Sequence, residues 1–136
     1  MSKFDYRTIK SYEDACKDQG RSPEDRPDYS KAKLSPTREQ YHRSSFEFDI
    51  IATSINKDED GNEWKPTPKD PRYSDWVWIK EDDSKRSGFG LSLFGVDRDS
   101  SPAASASRLT FRDRARAEYM LETFPELFED IMIPQF

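Results

Sequence analysis

Residues 108–131 read RLTFRDRARAEYMLETFPELFEDI, and the apolar period changes inside this one stretch. Leu109 and Phe111 alternate with Arg108, Thr110 and Arg112, the period of a strand with one buried face. From Ala115 the spacing becomes helical, through Tyr119, Phe124, Leu127, Phe128 and Ile131. A strand therefore feeds a helix. Pro125 lacks an N–H and clashes with a preceding helical turn, which predicts a kink near Thr123 to Glu126. Asp113 would cap the first helical piece, and Pro125 would open the second at its first position.

Working upstream, Phe89, Leu91 and Leu93 alternate with Gly90 and Ser92, and Trp76-Val77-Trp78-Ile79 is apolar on both faces. The expected architecture is α+β: a small antiparallel sheet of about three strands (Trp76 to Lys80, Ser87 to Val96, Arg108 to Phe111) with helices on one face and long polar loops. Ser11 is the expected N-cap of a short helix that buries Tyr12, Ala15 and Cys16, with Gly20 beyond its end. Ser35-Pro36 opens a longer helix, in which Tyr41, Phe48, Ile51, Ala52 and Ile55 share a face to about Lys57. Residues 1–136 are expected to form one domain, with surface linkers at about 18–35, 57–74 and 97–107, rich in Pro, Gly, Ser and charge. The acidic run Asp58 to Glu63 imitates a calcium loop in composition only, because glycine stands fourth and not sixth. Gly61 reads instead as the cap of the preceding helix.

Composition narrows the function classes. The 136 residues are 33% hydrophobic and 36% charged, with a mean hydropathy of -1.04, so the core must be small; 18 aromatic residues offset the shortage of aliphatics. No run approaches the ~20 apolar residues of a membrane span, and no signal-like segment opens the chain. One cysteine, Cys16, and one histidine, His42, cannot form a disulfide or a Cys/His zinc site. A net charge of -5 argues against sequence-independent binding to duplex DNA. His42 sits beside Tyr41 without a nucleophile signature, no phosphate loop is present, and Gly88-Phe89-Gly90 lacks the rest of a dinucleotide fingerprint. The expectation is a protein without enzymatic activity and without cofactor or metal; carboxylate-bound metal chemistry is the residual enzyme reading.

A set of local motifs adds a resemblance. "YEDAC" (Tyr12 to Cys16), "EWKP" (Glu63 to Pro66), "GFGLS" (Gly88 to Ser92) and "SRLTFRDRARAEYMLETF" (Ser107 to Phe124) occur in an order that resembles a family of small uncharacterised proteins. The family is associated with bacteriophages, prophages and mobile elements of Bacteroides-like bacteria. The resemblance implies a location in the bacterial cytoplasm or in a virion, and it brings no catalytic signature.

Two surfaces are candidates for binding. On the sheet face away from the helices, Trp76 and Trp78 would emerge with Gly88, Gly90, Ser92, Arg108, Thr110 and Arg112. Rings beside arginines suit a protein interface, and they also suit single-stranded nucleic acid; alternatively the tryptophans cover the glycines and pack beneath the linkers. At the C-terminus, Leu127, Phe128, Ile131, Met132, Ile133 and Phe136 either dock on a partner or a second copy, or fold back to close a thin core. The expected partner is a protein, with nucleic acid as the second reading and no membrane.

Overall fold

The computed structural model describes residues 3–67, 69–85, 89–99 and 110–132. Single 3-10 turns at Tyr6–Thr8 and Tyr29–Ala32 flank a short helix α1 (Tyr12–Asp18), followed by the long helix α2 (Pro36–Ile55). Strands β1 (Arg72–Glu81), β2 (Phe89–Asp99) and β3 (Thr110–Phe111) come next, then helices α3 (Arg114–Thr123) and α4 (Pro125–Met132). The fold is α+β, an antiparallel sheet of order β2-β1-β3 with helices packed against it.

Short-range chemistry sets the helix starts. Ser11 Oγ accepts the Asp14 N–H at 3.1 Å, while the Asp14 carboxylate accepts the Lys10 N–H at 3.0 Å, so one donor of the first turn and one just before the helix are both satisfied. Ser35 Oγ accepts from the Arg38 N–H, with Pro36 at the first position of α2. Asp113 caps α3 through the Arg116 N–H at 2.8 Å. Phe124 leaves helical geometry (φ -126, ψ 53), and Pro125 starts α4 where its missing donor costs nothing.

The sheet extends further than the apolar pattern suggests. β1 starts at Arg72, inside the expected 57–74 linker and immediately after Pro71, which has no N–H to give a ladder. Its antiparallel register with β2 runs from Arg72 opposite Asp99 to Glu81 opposite Phe89, so β2 continues past the expected loop start at 97. β1 is the central strand, with β3 on its other side through Tyr73 opposite Phe111. Arg108 and Leu109, expected at the start of β3, lie outside the described residues, as do Gly88, Ile133 and Phe136.

Two helix faces differ from expectation. On α2 the buried positions are Ser44, Phe48, Ile50, Ile51, Ala52, Ser54 and Ile55, while Tyr41 is 40% exposed and meets His42 edge to face. The place expected for Tyr41 belongs to Ser44, whose hydroxyl donates to Asp130 of α4 at 2.6 Å; a ring there would separate the two helices. Ala117, Met120 and Leu121 of α3 are buried together with Phe124 just beyond it, a stripe at i, i+3, i+4 and i+7 that leaves Ala115 exposed.

The core centres on three rings from three elements. Phe48 of α2 stands edge-on to Phe111 of β3 (6.1 Å between centroids) and to Phe128 of α4 (5.2 Å). Ile9, Ala15, Cys16, Ile51, Ile55, Met120 and Leu121 complete it. The expected glycine cap of α2 is absent: α2 ends at Ile55, and Gly61 (φ +81) serves a separate turn in which Asp58 accepts the Asp60 and Asn62 N–H groups. Asn56 stops the helix. Its side chain donates to the Thr110 carbonyl at 3.2 Å and accepts the Arg112 N–H at 3.1 Å, closing the open edge of β3 as a further strand would.

The Trp76 ring lies across Gly95, its cross-strand partner, and a Cβ built there would stand 2.5 Å from Trp76 Cζ2. Gly95→Ala is therefore expected to displace the ring, lower stability by about 1–2 kcal/mol and weaken the near-UV tryptophan circular dichroism. An unchanged urea midpoint together with an unchanged near-UV spectrum would show that the ring does not rest on the glycine.

Candidate functional site

Alternation along β1 separates two environments. Tyr73 and Val77 pack against the core beneath α3, and Asp75 lies between them in sequence, facing the same way. Arg72, Ser74, Trp76 and Trp78 occupy the opposite face, where Trp78 is 62% exposed and Trp76 is half-buried on Gly95. Of the residues expected on that face, the structure brings these two tryptophans together. Arg112 does not join them: its guanidinium donates to the Asn56 carbonyl at 3.0 Å, at the C-terminal end of α2. Arg112 is half-buried there as a helix-end partner, a role set by long-range pairing that alternation along the strand could not reveal. Thr110 is buried instead of exposed, and Arg108 lies outside the described residues.

The C-terminal candidates divide. Leu127 (8% exposed) and Phe128 (1%) are core residues, so neither offers a surface to a partner in this fold. Ile131 and Met132 are half-buried and pack against the same cluster. As far as Met132 the described tail folds back onto the core, the second of the two expected arrangements.

A cleft of about 310 Å³ opens between the C-terminal half of α2, the 63–66 segment and the β1/β3 end of the sheet. Asp49, Asn56, Glu63, Trp64, Arg72 and Thr110 contribute to its walls. Arg72 and Thr110 belong to the same sheet face as Trp76 and Trp78, because Ser74 is paired directly with Thr110 and Arg72 lies two residues before Ser74. The cleft and the exposed tryptophan are thus two ends of one surface. Trp64 immediately precedes a proline-rich stretch, so the sequence signals it only as an indole beside an acidic residue in a polar segment.

His42 is half-buried, stacked on Tyr29 at 5.7 Å between centroids, and Cys16 is fully buried. Among the described residues no cluster of three or more His, Cys, Asp or Glu side chains could hold a metal ion, and no helix is long and apolar enough to cross a membrane. Comparison with known protein families, with characterised proteins and with solved structures finds no match to this chain.

Asp75 is the buried group most at odds with its surroundings. It is 6% exposed, and neither carboxylate oxygen has a hydrogen-bond partner among the described residues. Desolvation, reinforced by the negative charge of Glu118 on α3, pushes its pKa up to about 8. Arg114 of α3 does not relieve it, being placed over Tyr73 and donating to the Val96 carbonyl. The carboxyl is therefore neutral at pH 7. Because the folded state holds this proton more tightly than the unfolded chain, its contribution to stability falls as pH rises from the ordinary carboxylate range towards 8, and the penalty is fully developed above that. At about 1.4 kcal/mol per unit, the loss between pH 4 and pH 7 is on the order of 4 kcal/mol. Asp75→Asn should flatten this slope and raise stability at pH 8–9 by about 1–3 kcal/mol, measured from urea midpoints at pH 5, 7 and 9. Parallel slopes in the two proteins would contradict the assignment.

Proposed function

We propose that this chain is a non-enzymatic accessory protein that acts by binding another protein, in the phage or mobile-element setting implied by the sequence resemblance. The observation that carries the reading is Trp78, 62% exposed in the middle of a paired strand. Large apolar side chains in this chain are otherwise mostly withdrawn: Tyr41 is the other exposed one among the described residues. A tryptophan held on a sheet loses little conformational freedom when it enters a partner's pocket, which is why such residues dominate interface energies. Trp76, seated on Gly95 beside it, extends the contact.

Single-stranded nucleic acid is the second reading, favoured by the same two indoles. It loses one of its expected cations, because Arg112 is committed to α2, and the net charge of -5 opposes a phosphate backbone.

The test uses wild type and Trp78→Ala as baits against lysates of the bacterial host with and without the element, followed by titration of the identified partner. Trp78→Ala should leave the free energy of unfolding within about 0.5 kcal/mol of wild type and weaken binding to the partner by about 2 kcal/mol, roughly thirtyfold. Equal affinity of the two proteins would remove Trp78 from the interface. Salt-sensitive quenching of tryptophan fluorescence by single-stranded oligonucleotides would replace the protein partner with nucleic acid.

A further inference from the structure

We infer that the cleft between α2 and the 63–66 segment receives an arginine side chain of the protein partner, an inference that rests on the protein-binding reading above. The cleft continues the Trp76/Trp78 face of β1. From Arg72 at its wall to Trp78 is six residues along the strand, about 20 Å, a span that one extended segment of a partner covers.

The chemistry of the walls selects the occupant. Asn56 and Thr110 are already joined by a hydrogen bond, and Arg72, itself 8% exposed, has interactions of its own. The Asp49 and Glu63 side chains are exposed, with no ion pair or hydrogen bond to their carboxylates among the described residues. Trp64, half-buried, shares the lining with them and with Pro66 and contributes an indole. Two carboxylates and an indole complement a cation: the carboxylates accept charge-assisted hydrogen bonds and the ring attracts positive charge to its face. An acidic side chain or a phosphate would meet repulsion from both carboxylates. A volume of about 310 Å³ lies at the lower limit for small-ligand sites and suits one long side chain better than a nucleotide cofactor. Guanidinium is preferred to ammonium because its planar fork can stack on Trp64 while donating in its own plane.

The probe is N-acetyl-L-arginine amide, titrated into the full chain while the indole N–H resonances of Trp64, Trp76 and Trp78 are followed by NMR. A saturable shift of the Trp64 resonance with Kd of about 1–10 mM is expected. The Asp49→Asn/Glu63→Gln variant, which alters exposed groups only, should bind at least fivefold more weakly, and N-acetyl-L-glutamate amide should give no saturable shift. Absence of saturation, an equal response to the glutamate probe, or undiminished binding by the double variant would each overturn the site. Equal affinity for N-acetyl-L-lysine amide would overturn the assignment to arginine. Trp78→Ala should bind the arginine probe as wild type does. Loss of partner binding in that variant and loss of arginine binding in the cleft variant are therefore separate results, and each reading can fail without the other.

Discussion

The edge-to-face contacts of Phe48 with Phe111 and Phe128 hold together the long helix, the edge strand and the last helix, which lie far apart in sequence. Phe48 comes from the long helix, Phe111 from a two-residue edge strand and Phe128 from the last helix. In a chain that is only 33% hydrophobic, three fully buried rings supply apolar area that aliphatic side chains would elsewhere provide. Pro125 is part of the same arrangement. By breaking the helix after Thr123 it re-aims α4, so that Phe128 meets Phe48 and Asp130 accepts the Ser44 hydroxyl.

Polar side chains then close what the small core leaves open. The carbonyls at and just beyond the end of α2 have no helical partners, and arginines from the C-terminal third of the sequence take them: Arg116 donates to Ile55 and Lys57, and Arg112 to Asn56. Arg116 also lies 4.6 Å from the Tyr6 ring centroid, and Tyr119 donates to the Ile9 carbonyl at 2.7 Å, tying the N-terminal segment to α3. The consequence for function is a division of labour among the charged residues. Arg112 and Arg116 are structural, and the tryptophans of β1 and the cleft beside them are left as the surface available to a partner.

What the sequence made legible was local. Ser11, Ser35-Pro36, Asp113 and Pro125 each act within three or four residues of themselves, and each element starts where these residues place it. The α+β class followed from the change of apolar period and the three strand-like runs. Features set by distant pairing were not legible. Nothing near Tyr41 announces that Ser44 takes the core position, since the reason is Asp130 across the bundle. Asn56 looks like any helix-end residue until β3 arrives to use both atoms of its amide. The candidate surface was half legible for the same reason: alternation put Trp76 and Trp78 on one face, whereas Arg72 joined them because β1 begins earlier than the apolar pattern suggests, and Trp64 only through the folding of the 63–66 segment.

The C-terminal helix lies in the core and the proposed binding surface lies on the sheet, and removal of the chain after Glu126 tests that division most directly. The truncation takes away Leu127 and Phe128; a buried phenylalanine alone is worth about 3–5 kcal/mol, against a total stability on the order of 5–15 kcal/mol. Thermal unfolding followed by far-UV circular dichroism should show the cooperative transition lost or shifted down by tens of degrees. A truncated protein that keeps the full transition at the wild-type temperature would contradict the account and make the tail an interface.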